Sequence, residues 1–254
     1  FRPMTVMVPD LVLICENMMM AEGFTTAKSL ATKFFTLYNL LKDLLSKQEH
    51  YDWGLRAIKS VLVVAGQLKR SDPDSSEDSV LMRALRDFNV PKIVQVDEIV
   101  FHGLLGDLFP GLNPERKVDK TLEDCVFKAC DSLSLHPHET FVLKCVQLDE
   151  LLEIRHCVFT MGPPTSGKTT CTMALQEARK IKFPEPTEGE RGGPVKIVDV
   201  NPKVMDTQDL YGYINLATRD WKDGLLSTIM RDLGQIPDDL PKWILLDGDL
   251  DANW

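Results

Sequence analysis

The residues best suited to chemistry lie in the stretch GPPTSGKTT at 162–170. Gly162, four further residues, and then Gly167, Lys168 and Thr169 have the spacing of a phosphate-binding loop, or P-loop. Glycines allow the backbone to turn so that its N–H groups surround an anion. Lys168 would bring a full charge to the outer phosphates, and the Thr169 hydroxyl is a ligand for magnesium. The alternative is a Gly/Ser-rich loop that only joins a strand to a helix.

A carboxylate that could complete this site follows the apolar residues 243–246, at Asp247. In nucleotide sites of this kind, the carboxylate that holds magnesium and its waters usually ends a buried apolar strand. Thr169 and Asp247 are therefore the predicted magnesium ligands. The predicted nucleotide-binding residues are Gly162, Pro163, Pro164, Thr165, Ser166, Gly167, Lys168, Thr169 and Asp247.

The residue after Asp247 bears on hydrolysis. Many such ATPases have Glu there to polarise the attacking water, whereas this chain has Gly248. Asp249 and Asp251 lie close in sequence, but Gly248 indicates that the strand turns, so a shorter and displaced base would be poorly placed. The sequence therefore predicts a site that binds ATP and Mg²⁺ with little hydrolysis, and no residue is assigned as catalytic.

The elements that must position these residues alternate between strand and helix. The apolar run at 156–162 predicts a strand that leads into the P-loop, and 168–182 has helical spacing. Two further strands are predicted at 195–201 and 242–250. Continuous apolar runs favour strands that are buried on both faces of a mostly parallel sheet, and the alternation favours a doubly wound α/β core.

The first two-thirds of the chain is predicted to be helical, because apolar residues recur at helical spacing. Gly23 is expected to end the first helix, the polar stretch 71–78 to separate two helices, and the Pro- and Gly-containing stretch 109–117 to mark a domain boundary. The predicted helices lie at about 9–24, 25–46, 51–70, 77–88, 96–108, 119–132 and 138–154.

Length and charge limit the classes of protein. A chain of 254 residues fits one large or two modest domains, and Phe1 in place of Met suggests a piece of a longer protein. A net charge of −9 argues against a protein whose whole surface binds nucleic acid or acidic membrane. None of the apolar runs approaches the roughly 18 residues of a membrane span.

The six cysteines include no CxxC pair, and the start of the chain does not resemble a secretory signal. Reduced thiols in a cytosolic compartment are the simplest interpretation. A metal site could combine Cys125, Cys130, His136 and His138, but this spacing matches no common zinc pattern.

Four stretches together resemble a dynein heavy chain, and the axonemal type is the closer match. They are HYDWGLRAIKSVLVVAG, VLMRALRDFNVPKIVQVDEIVFHGLLGDLFPGL, GPPTSGKTT and KWILLDGDLDANW. The resemblance implies an α/β P-loop NTPase (AAA+) large-subdomain core, preceded by an all-α helical small subdomain. Residues 1–112 would be the small subdomain of the first AAA+ module, and 113–254 the truncated start of the second.

The resemblance also implies function. Arg56, in the stretch GLRA, matches the sensor arginine that reaches the nucleotide of the first module; without the resemblance it is only a cation on a helix. The second module of the family holds ATP with little turnover. The parent protein would be a minus-end-directed, ATP-driven microtubule motor of the ciliary or flagellar axoneme, in the cytoplasm and cytoskeleton. Its partners would be its other AAA+ modules, intermediate and light chains and microtubules, without nucleic acid or membrane.

Two other interpretations are possible. An independent P-loop enzyme, such as a small-molecule kinase, would need mobile lid arginines, for which Arg191 and Arg219 are available. A helical interaction module with a decayed P-loop is opposed by the intact Lys168, Thr169 and Asp247.

Overall fold

The computed structural model describes residues 2–5, 7, 9–112, 119–184, 193–237 and 240–248. The chain forms two compact units, Phe1–Lys117 and Val118–Trp254. Whether these units are the AAA+ subdomains expected at 1–112 and 113–254 stays a prediction. Within the described ranges, every helix is too short or too polar to reach across a bilayer.

The first unit is helical throughout its described elements, so the helices predicted from apolar spacing are confirmed. A short 3-10 turn, Val90–Lys92, links the fourth and fifth helices. The helices are α1 (Leu11–Ala21), α2 (Ala27–Leu44), α3 (Leu55–Ser71), α4 (Glu77–Asn89) and α5 (Gln95–Leu108).

Local chemistry explains where these helices begin and end. The Asp10 carboxylate accepts a hydrogen bond from the Leu13 N–H at 3.1 Å and caps α1. Gly23 follows α1 with φ of 89°, a conformation that costs glycine little, so its predicted role as a stop is confirmed. Ser76, in the predicted polar break, caps α4.

The core of this unit consists of large apolar side chains from facing helices. α2 packs against α1 and α5, and α3 packs against α1 and α4. The largest fully buried side chains from α2 to α5 are Leu30, Phe34, Leu37, Leu41, Ile58, Leu62, Leu81, Leu85, Phe101 and Leu105.

A carboxylate from α4 holds the start of α2. Glu77 accepts hydrogen bonds from the backbone N–H groups of Thr25 and Thr26, both at 2.8 Å. It also forms an ion pair with Lys69 of α3, whose ammonium lies 4.6 Å from the centre of the Phe24 ring. Burial opposes the ionisation of Glu77, but these donors outweigh it and hold its pKa below the usual range.

The second unit contains α6 (Lys120–Ser132), α7 (Glu139–Ile154) and α8 (Lys168–Lys182), as predicted. Their apolar faces share one core, which includes Val126, Val146, Leu175 and Ala178. β1 (Lys196–Val200) and β4 (Lys242–Leu246) form a parallel pair in which Val200 is opposite Leu246. The strands predicted at 195–201 and 242–250 are therefore confirmed over Lys196–Val200 and Lys242–Leu246, whereas Asp247 and Gly248 of the second prediction lie after the strand.

The predicted strand at 156–162 is wrong, because the structure has irregular backbone there. A strand needs a neighbouring strand with which it forms a ladder of backbone hydrogen bonds. Among the described residues, none forms such a ladder with residues 156–161. Phe159 and Met161 are 68% and 63% exposed. Burial of both faces of β1 and β4 is also wrong, since most of their residues are half-exposed in a sheet with two described strands.

Short elements between β1 and β4 were not predicted. β2 (Gly212–Ile214) and β3 (Trp221–Asp223) form an antiparallel hairpin. Three-residue strands are too short for an alternation of apolar and polar residues to be recognised. The other described elements of this unit are a 3-10 turn (Pro202–Val204) and the helices α9 (Thr207–Tyr211) and α10 (Leu225–Gln235).

We expect Glu77→Gln to lower the free energy of unfolding of the helical unit by about 2 kcal/mol at pH 7, because Lys69 loses its carboxylate. A depressed pKa means that the contribution of Glu77 is present above its unfolded pKa, near 4.3, and is lost as the pH falls. The difference between wild type and variant, measured by urea unfolding, should therefore shrink at pH 3. Asp43→Asn, at an exposed position of α2, is the control and should change little.

Candidate functional site

The P-loop turns sharply into α8. Gly167 precedes the helix with φ of 84° and ψ of 19°, a left-handed conformation that favours glycine. The Cys171 N–H donates to the Gly167 carbonyl at 2.8 Å and closes the first turn of the helix. Gly167 supplies no side-chain cap, so the first N–H groups of α8 can face a ligand.

Lys168 lies over this loop. Its ammonium donates to the carbonyl oxygens of Gly162 and Pro163, at 3.0 and 2.8 Å. A β-carbon at Gly162 would lie 2.9 Å from the Ser166 hydroxyl, so glycine keeps the loop narrow. The result is a positive charge surrounded by loop backbone at the positive end of a helix, which suits an anion.

The structure brings Thr169 and Asp247 together from positions 78 residues apart. The Thr169 hydroxyl donates to Asp247 Oδ2 at 2.9 Å. Asp247 directly follows β4, and its N–H donates to the Val200 carbonyl at the end of β1, at 3.1 Å. The site therefore lies at the carboxyl ends of two parallel strands, where open α/β sheets commonly bind ligands.

Asn201 was not predicted as a site residue. It follows β1, and its side-chain oxygen accepts a hydrogen bond from the Lys203 N–H at 3.1 Å. A β-carbon at Gly248 would lie 2.9 Å from that oxygen. A glutamate at 248 would therefore require Asn201 to move. Recognising this needs the parallel register of β1 and β4, which the sequence pattern does not give.

Buried polar contacts fix α8 against its neighbours. Arg179 of α8 forms an ion pair with Asp149 of α7, and both side chains are less than a tenth exposed. At the end of α8, Lys182 donates to Asp119, the cap of α6, at 2.5 Å. Burial acts to raise the pKa of Asp119, but Lys182 and the cap donors outweigh it and hold the pKa at about 2.

Two thiols, one on α7 and one in the first turn of α8, pack against each other. Cys145 Sγ of α7 lies 3.5 Å from Cys171 Sγ. The hydrogen bond to Cys171 and burial raise the pKa of Cys145. All six cysteines are free thiols. Within the described residues, no group of three or more His, Cys, Asp or Glu side chains has the arrangement of a metal site, and this includes the positions of the zinc alternative.

Arg56 lies in the first turn of α3, in the helical unit. Its side chain is 85% exposed, and its Nε is 4.0 Å from Asp52 Oδ2. The segment before α3 is fixed by Asp97, which accepts hydrogen bonds from Ser46 and from the Tyr51 hydroxyl. Arg56 therefore extends into solvent from an ordered segment.

Of the four remaining candidate residues, the structure describes Arg219. Asp249, Asp251 and Arg191 lie outside the described residues. Arg219 lies between β2 and β3, where its N–H donates to the Asn215 carbonyl at 2.6 Å. The lid arginines required by the kinase interpretation thus have no described place beside the P-loop.

A sequence model of the family described as "Hydrolytic ATP binding site of dynein motor region" matches residues 1–169. The chain belongs to the dynein motor-region family. The match confirms the resemblance and the AAA+ character of the chain, and it is consistent with nucleotide binding. It ends at Thr169, so Asp247 and Gly248 lie outside it and the description does not decide whether this P-loop supports hydrolysis.

Several dynein heavy chains are similar to this chain over its whole length. The "Dynein alpha chain, flagellar outer arm" of Chlamydomonas reinhardtii is 57% identical. Human "Dynein axonemal heavy chain 17" and the "Dynein beta chain, ciliary" of Tripneustes gratilla are each 55% identical. The chain spans about 6% of the length of each of these relatives. The predicted axonemal type is thereby confirmed as a similarity.

We expect Asp149→Asn to lower the stability of the second unit by about 3 kcal/mol, because the buried charge of Arg179 would lose the carboxylate that it contacts. The free energy of unfolding in urea measures this. Asp124→Asn, on the exposed side of α6, is the matched control. An equal effect of the two substitutions would contradict a special role for the buried pair.

The contact between position 248 and Asn201 can be measured by a double-mutant cycle. Gly248→Ala should cost about 1 kcal/mol more stability in the wild-type background than in Asn201→Ala, where the β-carbon finds space. Any backbone cost of a side chain at 248 is common to both backgrounds and cancels. The absence of coupling would show that Asn201 does not limit position 248.

Proposed function

We propose that this chain is part of the motor ring of an axonemal dynein heavy chain, and that its P-loop binds ATP with Mg²⁺ and hydrolyses it slowly. The observation that carries the proposal is the hydrogen bond between Thr169 and Asp247, 2.9 Å long, at the mouth of the P-loop. Two distant motifs that meet in this way suit a common nucleotide better than a loop that only joins two elements.

The residues divide the work of binding. Lys168 and the first N–H groups of α8 would hold the phosphates, and the loop Gly162–Gly167 would wrap them with backbone. The Thr169 hydroxyl and the Asp247 carboxylate are hard oxygen donors on one face of the site, and such donors fit Mg²⁺. The ion, when bound, would offset phosphate charge and orient the oxygens.

We expect slow hydrolysis because the residue after Asp247 is a glycine. Gly248 carries no base, and the side chain of Asn201 fills the neighbouring space. Without a carboxylate at position 248 to orient water, phosphate release should be slow even when binding is tight. A site of this kind would use ATP as a structural ligand of the ring.

The similarity to axonemal heavy chains supports the remainder of the proposal. Residues 1–112 would form the small subdomain of the first AAA+ module and 113–254 the start of the second, with Arg56 directed at the nucleotide of the first. The parent protein would drive ciliary or flagellar beating on axonemal microtubules, together with its other modules and its intermediate and light chains. The family assignment does not favour an independent kinase.

Calorimetry of MgATP binding to the 254-residue chain, with phosphate release followed on the same sample, tests the site. Lys168→Ala should weaken binding at least about ten-fold, or ~1.4 kcal/mol. Lys180→Ala, on the exposed side of the same helix, should leave the affinity unchanged. Equal effects of the two variants, or rapid phosphate release by wild type, would contradict the proposal.

Asp247→Asn tests the metal role separately. In wild type, removal of Mg²⁺ with EDTA should weaken ATP binding, and in Asp247→Asn this dependence should largely disappear. Asp209→Asn, an exposed carboxylate on α9, should retain the full dependence.

A further inference from the structure

Two free thiols lie in contact between α7 and α8, the helix that follows the P-loop. Cys145 Sγ and Cys171 Sγ lie 3.5 Å apart, and Cys145 Sγ also lies 3.8 Å from the Cys171 carbonyl. Cys145 is fully buried and Cys171 is 9% exposed. All six cysteines lie in the described residues. Among them, Cys145 and Cys171 have sulfur atoms within hydrogen-bond distance of each other.

The position of Cys171 ties this pair to the nucleotide site. It lies three residues after Lys168 and two after Thr169, and its N–H donates to the Gly167 carbonyl at 2.8 Å. A displacement of Cys171 therefore acts on the helical turn that carries the candidate phosphate and magnesium ligands. Cys145 lies on α7, which packs against α8 and shares its core.

We propose that Cys145 and Cys171 form a reversible disulfide, and that this modification weakens nucleotide binding at the P-loop. A disulfide has an S–S distance of ~2.05 Å, so the two sulfurs must approach each other by roughly 1.5 Å. Because α8 is fixed at its other end by Arg179 and Lys182, any movement of α8 that closes this distance falls on its first turn. The coupling to binding rests on the proposed function, whereas the disulfide itself does not.

The oxidant is a hydroperoxide, of which hydrogen peroxide is the smallest and the best able to reach a buried thiol. The first thiolate attacks a peroxide oxygen, so that an S–O bond forms, the O–O bond breaks and hydroxide leaves to become water. The second thiolate then attacks the resulting sulfenic sulfur, forming the S–S bond and releasing a second water. In total, two thiols and one H₂O₂ give one disulfide and two H₂O. A dithiol reductant reverses the change by exchange.

The sequence makes this product easy to identify. Trypsin cleaves after Lys144, Arg155, Lys168 and Arg179, so Cys145 and Cys171 lie on separate peptides that contain no other cysteine. The folded chain is treated with hydrogen peroxide, remaining thiols are alkylated, and the unreduced digest is analysed by mass spectrometry. We expect a cross-link between peptides 145–155 and 169–179, which disappears on reduction.

Three variants define the pair. Cys145→Ser and Cys171→Ser should both abolish the cross-link, whereas Cys130→Ser, which changes another buried thiol of the same core, should retain it. Cys145→Ala replaces Cys145→Ser if urea unfolding shows that the serine variant is not folded. The exposed Cys157 reports that peroxide has acted. Oxidised Cys157 without a 145–171 cross-link, or a cross-link from Cys130 instead, would overturn the proposal.

The coupling is measured by calorimetry of MgATP binding before and after oxidation. Oxidised wild type should bind at least ten-fold more weakly than reduced wild type and recover with dithiothreitol, while treated Cys145→Ser should keep its affinity. A complete cross-link with unchanged affinity would overturn the coupling. If the reduced chain does not bind ATP, the proposed function fails, and the mass spectrum still decides the disulfide.

Discussion

The whole candidate site depends on the placement of α8 relative to the parallel strands. Thr169 reaches Asp247 across a single hydrogen bond of 2.9 Å, and hydrogen bonds weaken steeply with misalignment. A small rotation or slide of α8 would separate the hydroxyl from the carboxylate. The core shared with α6 and α7, together with two ion pairs on its last turns, gives the helix one position.

These supports differ in their physical character. The apolar core supplies most of the free energy but little directional preference, because dispersion contacts tolerate small slides. The buried pair of Arg179 and Asp149 is directional, since each charge is stable only when it faces the other. Together they explain how a loop that contains glycines can belong to a precisely arranged site. The core and the ion pairs fix the position of α8, and the P-loop is held by its direct connection to this helix.

Local patterns predicted the helices well. Apolar spacing determines which residues can face a core, and Gly23, Ser76 and Gly167 mark helix ends by their own chemistry. The P-loop and Asp247 were recognisable because phosphate and magnesium binding require particular residue types at a particular spacing. The parallel direction of β1 and β4 agrees with the mostly parallel sheet that the continuous apolar runs predicted, whereas the pairing of these two strands was not predicted.

Features that depend on distant partners were not predictable. The run at 156–162 is as apolar as β1, but a strand exists only where a neighbour completes its ladder. Asn201 gains its position from the register of two strands, and Cys145 meets Cys171 only when α7 and α8 pack. In each case the residue type is common, and its structural role depends on a neighbour that is distant in the sequence.

The Glu77 carboxylate has a consequence for synthesis on the ribosome. Thr26 makes no side-chain cap for α2, and its backbone N–H is instead bonded by a residue 51 positions later. Because chains are made from the N-terminus, α2 emerges before the group that completes its first turn exists. Its start should therefore fray in the nascent chain until α4 has left the exit tunnel, so the helical unit matures late and as a whole.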